Sequence, residues 1–350
     1  MINNVSEKIK TGALENFTTE LITLSKNKKT FILCDQNTKQ CAEYLISKIP
    51  FFSTAHTFTI TAGENSKNLK TANKIWNFLS SNNANRNDLL INIGGGLITD
   101  IGGFVAATYK RGISYINIST SLLGMIDASI GGKTGINLNK IKNQIGVFSH
   151  PELVICDPYF LKSLPTQEFI SGFAEVFKHG LVYNRKYWDY CNSSTIEKLD
   201  ISKIITDSIA IKSKIVTLDP MEKKERKLLN FGHTIGHAIE TLFLENNKTT
   251  LHGFAVANGI IIESYISYKL NHLKEKDFLE IKHIIENMFP KLTFLKTDIS
   301  RLLGCMKNDK KNNSNAINFT LIKKIGIGMV DQNIEETQVK LLLEKYCQNS

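Results

Sequence analysis

Asn92-Ile-Gly-Gly-Gly-Leu-Ile-Thr-Asp100 closes an apolar run, Leu89 to Ile93, with three consecutive glycines and then opens a helical pattern. Strand, glycine turn and helix in that order are the repeating unit of an α/β sheet, so this stretch sets the fold class. It also reads as a phosphate cradle. Without a Cβ, Gly94, Gly95 and Gly96 are free to take positive φ and admit an anion to the backbone, and the unbonded N–H groups of the following helix point to the same place. Asp100, one turn in, suits a hydroxyl or a capping contact rather than an anion. The spacing is not G-x-G-x-x-G, so the usual dinucleotide fingerprint is absent, and a glycine triplet here is equally the mark of a simple tight turn.

On either side of the triplet the pattern repeats. Thr30 to Cys34, Phe58 to Thr61, Leu89 to Ile93, Tyr115 to Ile118 and Leu153 to Cys156 read as strands, with helical periodicity between them, notably over Leu69 to Leu79. Such alternation implies a parallel sheet whose ligands sit at the carboxyl ends of its strands. Cys34-Asp-Gln-Asn37, Ala62-Gly-Glu-Asn-Ser-Lys67 and the glycine triplet all follow strands and are expected on one edge. After Pro165 the spacing changes to three and four over Glu168 to Cys191, Ile201 to Thr217, Arg226 to Leu244, Ala255 to Leu270 and Asp277 to Met288. A strand (Ala316 to Ile322) and a helix (Glu335 to Tyr346) follow. The expected fold is an α/β N-terminal domain with a parallel, Rossmann-like sheet, residues 1–160, and a mainly α-helical C-terminal domain, residues 161–350.

The 350 residues are enough for two domains, and 42% apolar with 22% charged residues is the balance of a soluble globular protein. The first twenty residues carry no apolar signal-peptide core, and no run reaches the roughly 18 apolar residues of a membrane helix, so a cytoplasmic protein with no membrane partner is expected. Six scattered cysteines without a C-x-x-C spacing fit reduced thiols. The formal charge of +10 is spread among glutamates and asparagines, with no aromatic-interleaved basic stripe, and argues against a nucleic-acid partner.

The chemistry-bearing residues fall into two groups. Glu175 in Gly172-Phe-Ala-Glu-Val-Phe-Lys178, His233 in Asn230-Phe-Gly-His-Thr-Ile-Gly-His237 and His252 in Leu251-His-Gly253 are the ligand types of an open catalytic zinc site. Spacing alone allows His233, His237 or both to bind metal. Gly232, Gly236 and Gly253 beside them permit close approach of helices or ligand, where glycine otherwise costs about 1 kcal/mol in a helix. The second group is cationic: Lys110-Arg111-Gly112, Gly131-Gly-Lys-Thr134, Lys142-Asn143, Lys178, Lys212 and Arg226. Lys133 stands beside flexible backbone, as a phosphate or carboxylate site requires, and Asp127 between Ile126 and Ile130 is costly to bury unless paired or used.

Asp127-Ala-Ser-Ile-Gly-Gly-Lys-Thr-Gly-Ile-Asn137, Gly103-Phe-Val-Ala-Ala-Thr-Tyr-Lys-Arg-Gly112, Ala174-Glu-Val-Phe-Lys178 and Leu229-Asn-Phe-Gly-His-Thr-Ile-Gly-His-Ala-Ile-Glu240 resemble the signatures of the 3-dehydroquinate synthases. The resemblance keeps the family's order and covers about residues 30 to 325. It implies conversion of 3-deoxy-D-arabino-heptulosonate 7-phosphate to 3-dehydroquinate and phosphate by oxidation, elimination, reduction and internal aldol closure. It also implies NAD and a divalent metal, zinc or alternatively cobalt, in a cytoplasmic homodimer. By the same resemblance Glu175, His233 and His252 hold the metal. Asp35, Asn37, Glu64, Lys67, Gly95, Gly96, Leu97, Asp100, Thr120, Ser121, Lys142, Phe160 and Ser163 line the NAD site. Asp127, Lys133, Asn143, Lys178, Lys212, Arg226, Asn230 and His237 meet the phosphorylated sugar-acid substrate, with Arg111 and one of Lys310 and Lys311 adding to anion binding.

Three positions depart from the family pattern. Phe254 stands where His-Gly-Glu is common and removes a polar partner for His252, Ser119-Thr-Ser121 replaces Pro-Thr-Thr, and His179 replaces a frequent Tyr. The rival readings are another sugar phosphate cyclase, a metal-dependent polyol dehydrogenase, and a basic nucleic-acid-binding scaffold.

Overall fold

The computed structural model describes residues 5–139, 141–307 and 316–349. The chain forms two compact units, Met1–Pro165 with Asp200–Ser213, and Thr166–Leu199 with Lys214–Ser350.

The first unit contains, in chain order, β1 (Ile9–Thr11), α1 (Thr18–Ser25), β2 (Thr30–Asp35), α2 (Lys39–Lys48), β3 (His56–Ile60), α3 (Leu69–Ser81), β4 (Leu89–Gly94), α4 (Gly96–Thr108), β5 (Ser114–Ser119), β6 (Lys133–Leu138), β7 (Ile141–Phe148) and β8 (Leu153–Cys156). Six of these strands make one parallel sheet in the order β1-β8-β5-β4-β2-β3. β2 and β4 are buried at every position, as expected of parallel strands covered on both faces. On one face, Ala72, Ile75 and Leu79 of α3 and Ile98, Ile101 and Val105 of α4 pack against Phe31, Leu33 and Leu90. α3 starts where the Asn68 side chain accepts the Thr71 N–H at 2.9 Å.

The chain leaves β2 for β3 on one side and returns to β4 on the other. The carboxyl ends of β2 and β4 therefore flank the sheet's switch point, where ligands of such sheets bind. Asp35 and the glycine triplet lie at those two ends, on the edge that the sequence pattern indicates.

Two features of this unit escape the sequence pattern. β1 is only three residues long, too short for any period to register. Gly131-Gly-Lys-Thr134 opens an antiparallel hairpin, β6 with β7, rather than a loop. Glycines allow that pairing to close: a Cβ on Gly135 would stand 2.6 Å from the Ile145 carbonyl oxygen. The conformation expected of the triplet also needs correction. None of Gly94, Gly95 and Gly96 has positive φ, and Gly95 is extended at φ −78°. Their requirement is space, because a Cβ on Gly94 would meet Ile98 at 2.6 Å and one on Gly95 would meet the Ser121 Oγ at 2.9 Å.

The rest of the chain gives α5 (Thr166–Tyr183), α6 (Arg185–Cys191), α7 (Ile201–Leu218), α8 (His233–Glu245), α9 (His252–Lys269), α10 (Glu275–Met288), α11 (Ile299–Lys307), β9 (Ala316–Lys324), β10 (Ile327–Glu335) and α12 (Glu336–Asn349). The helical run expected over 168–191 breaks at Asn184, whose side chain accepts the Tyr187 N–H and caps α6. α8 and α9 meet through glycine. A Cβ on Gly259 would overlap the Gly232 carbonyl oxygen at 2.0 Å, and one on Gly236 would stand 3.1 Å from the Val256 Cα. Gly253 likewise lets α9 approach α5, with the Ser171 carbonyl oxygen 1.9 Å from where a Cβ would be. These glycines thus serve helix-to-helix contact. β10 was not legible as a strand because register shifts in its pairing with β9 break its alternation.

Candidate active site

At the carboxyl edge of the first unit's sheet, backbone geometry makes the cradle and side chains frame it. Gly95 is the residue before α4, and no side chain caps that helix. Its neighbour across the turn is Ser121, whose Oγ accepts the Gly124 N–H at 3.1 Å, and Thr120 donates its N–H to the Gly94 carbonyl at 3.0 Å. Gly96 faces Ala128, 3.2 Å from a hypothetical Cβ, and Leu97 is half-buried. Small residues thus keep the backbone at the start of α4 open to a ligand, which is the condition for a pyrophosphate there. The Asp35 carboxylate accepts the N–H groups of Asn37 and Thr38, both at 2.9 Å, and so shapes the turn after β2. Thr38, absent from the sequence reading, ties that turn to β4 through the Ile93 carbonyl at 3.0 Å. Phe160 is buried, and the Ser163 Oγ donates to its carbonyl at 3.1 Å.

Lys67 is the centre of a polar network in this unit. Its ammonium donates to Asp100 Oδ2 and to Asn143 Oδ1, each at 2.5 Å. Asn137 accepts the Asn143 N–H at 2.9 Å and donates to Glu64 at 2.7 Å. Burial opposes charge on Lys67, but Asp100 and Glu64 outweigh it and hold the pKa above the ordinary lysine value. Asp127 is paired, as its apolar flanks require: Lys212 bonds its carboxylate and, at 2.5 Å, its backbone carbonyl. Lys133, Lys142, Asn143 and Arg111 are exposed, with Asn143 and Arg111 at positive φ, 52° and 65°. Lys310 and Lys311 lie outside the described residues.

The second unit gathers Glu175, His233 and His252 from α5, α8 and α9. The Nε2 atoms of His233 and His252 stand 3.4 and 3.9 Å from the same Glu175 oxygen. On their far sides, the His233 Nδ1 lies 3.1 Å from the Phe231 carbonyl oxygen and the His252 Nδ1 lies 3.1 Å from a Glu240 oxygen. Each ring is thereby oriented with Nε2 toward a shared point beside a fully buried carboxylate, which fits a divalent cation with N and O donors. Glu240 supplies the partner that Phe254 was expected to remove; Phe254 instead stacks edge-on against Phe289. Lys178, also fully buried, pairs with Glu175 one turn away on α5. His237 is exposed, with its ring centroid 5.2 Å from that of His233 and 5.8 Å from that of His252, and the three histidines also form a possible ligand group. His179 is buried.

Further along, Asp219 accepts the N–H groups of Lys223, Lys224 and Arg226 at 2.9, 2.6 and 3.1 Å. This holds the loop on which buried Arg226 donates to the Pro220 carbonyl at 2.7 Å. Asn230 donates to Glu222 at 2.7 Å. Asp219 and Glu222 carry no motif, and only the three-dimensional arrangement shows them.

The fold is that of the sugar phosphate cyclases. A 2-deoxy-scyllo-inosose synthase, solved with carbaglucose-6-phosphate, NAD+ and Co2+, matches with a TM-score of 0.83 at 22% identity over 96% of each chain. The 2-epi-5-epi-valiolone synthase of Streptomyces hygroscopicus, solved with NAD+ and Zn2+, gives 0.84 at 21% identity, over 98% of this chain and 97% of that one. An iron-containing alcohol dehydrogenase from Thermococcus thioreducens shares the fold less closely, at 0.69 with 13% identity over 98% of each chain. Within this class the chain belongs to the 3-dehydroquinate synthase family, whose N-terminal model matches residues 57–171 and whose C-terminal model matches residues 172–312. It is 41% identical over 324 residues to the 3-dehydroquinate synthase of Parabacteroides distasonis, covering 92% of both chains. It is 34% identical over 352 residues to that of Campylobacter jejuni, covering 98% of this chain and 99% of the relative.

Proposed function

We propose that the chain catalyses its family's reaction, conversion of 3-deoxy-D-arabino-heptulosonate 7-phosphate to 3-dehydroquinate and phosphate, as a cytoplasmic homodimer using NAD and a zinc ion that cobalt can replace. The observation that carries this reading beyond family membership is the convergence of His233 and His252 Nε2 on Glu175, with both Nδ1 atoms held from behind. Glu175, His233 and His252 would hold a divalent metal, which would supply Lewis acidity toward a substrate hydroxyl, and NAD would supply a reversible hydride acceptor.

The residues of the chain have separate tasks. Gly95, Gly96 and Leu97 with Thr120 and Ser121 take the cofactor's pyrophosphate, while Asp35, Asn37, Glu64, Lys67, Asp100, Lys142, Phe160 and Ser163 fix the rest of NAD. Glu175, His233 and His252 hold the metal. Lys178, paired with Glu175, is placed to meet an oxygen of the substrate. Asp127, Lys133, Asn143, Lys212, Arg226, Asn230 and His237, with Arg111 and Lys310 or Lys311, bind the substrate's phosphate, carboxylate and hydroxyls and hold it in one reactive conformer. Elimination needs no dedicated side-chain base, because the departing phosphate is itself basic.

Incubating purified protein with NAD, zinc and the heptulosonate phosphate tests the reading. Phosphate release that stops on chelation and returns with zinc or cobalt supports it. Release from a different phosphorylated sugar, with none from the heptulosonate, assigns the chain to another cyclase activity.

A further inference from the structure

Glu263 lies within α9, fully buried, and no task assigned above uses it. A buried carboxyl group is costly, so its partners decide its role. One oxygen accepts the Gly232 N–H at 2.6 Å and the other accepts the Ile235 N–H at 3.0 Å. Both amides belong to the start of α8. Gly232 is the residue before that helix, has no side chain to cap it and sits at φ +80°. Glu263 therefore does from a neighbouring helix what Ser, Asp or Asn ordinarily does from the chain itself.

The consequence falls on the two histidines. His233 is the first residue of α8, so a shift of that first turn moves its imidazole directly. His252 is the first residue of α9, the helix that carries Glu263. Gly232, Gly236 and Gly259 let the two backbones touch, with the Ile260 side chain of α9 packed against Gly232. The two amide bonds that Glu263 accepts add directional contact between α8 and α9 there, as the Glu240–His252 contact does further along.

We infer that Glu263 is a positioning residue for the metal, clamping the first turn of α8 onto α9 and so setting His233 against His252. The inference rests on the metal reading of Glu175, His233 and His252.

Zinc affinity, measured on the full chain by competition with a chromophoric chelator, tests it in the parent, Glu263→Gln, Glu263→Ala and Ile281→Val. The last variant trims a buried residue of α10 as a stability control. At a temperature where all are folded, both Glu263 variants are expected to bind zinc at least about tenfold more weakly, Gln less affected than Ala, with the control within about twofold of the parent. A folded Glu263 variant that keeps the parent's affinity, or a control that loses as much, overturns the inference. Hydrogen exchange on the metal-free parent is independent of whether the variants fold. Slow exchange at the Gly232 and Ile235 amides is expected, and exchange at the rate of open backbone overturns the clamp. A parent that binds no zinc refutes the metal reading itself, whereas zinc binding unaffected by Glu263 refutes only the clamp.

Discussion

The three clustered imidazoles differ in what stands behind them. His233 and His252 have their Nδ1 atoms at 3.1 Å from the Phe231 carbonyl and Glu240, which directs Nε2 to Glu175, while His237 lies on the exposed side of α8. His233→Ala and His252→Ala are therefore expected to lose their metal on dialysis, and His237→Ala to keep it and lose activity; metal analysis of the folded variants checks this, and retention in His233→Ala would contradict it. Glu240→Gln should weaken metal binding about 10- to 100-fold without removing a ligand, read by chelator competition; unchanged affinity would show that Glu240 does not orient His252. The sequence pattern exposed the ligand types because Glu and His beside glycines are unusual on helices. It did not expose Glu240 as a partner, since the bond to His252 crosses from one helix to the next and leaves no periodic trace.

Among the elements, the inner parallel strands were the most legible, because a strand covered on both faces must be an unbroken apolar run, as in β4 and β8, whereas β1 is too short to register. The hairpin of β6 and β7 and the strand β10 were not, since glycines and bulges erase the two-residue period there. The turn between α7 and α8 shows how an irregular element is held. Burial pushes Asp219 toward neutrality, but the amides of Lys223, Lys224 and Arg226 and the Arg226 charge outweigh it and lower its pKa below 3.8. For a carboxyl group lowered on folding, the stabilisation is complete above the unfolded value and disappears as pH falls through the lower folded one. Acid should therefore release this loop below about pH 4, and Asp219→Ala should release it at neutral pH, at a cost of about 1 to 3 kcal/mol for the amides left unbonded. Substrate KM is expected to rise with metal content unchanged; a variant with the parent's KM and stability would contradict the latch.

Across the whole molecule, the four buried thiols, Cys34, Cys41, Cys156 and Cys191, contrast with the half-covered Cys305 and Cys347. Burial pushes Cys41 up to about 11 and Cys156 to about 12, so both stay protonated and unreactive at neutral pH. A disulfide reagent should label at most two thiols rapidly in the native protein and all six after denaturation; fast native labelling of more would contradict the packing. No helix among the described residues is long and apolar enough to cross a membrane. The cyclase reaction has one stoichiometry, which a polyol dehydrogenase does not share. The direct test is to count phosphate, carbocycle and NADH in one reaction of the protein with NAD, zinc and the heptulosonate phosphate. One phosphate for each 3-dehydroquinate and no net NADH are expected. NADH accumulating in step with product, or product formed without phosphate, would contradict the cyclase reading.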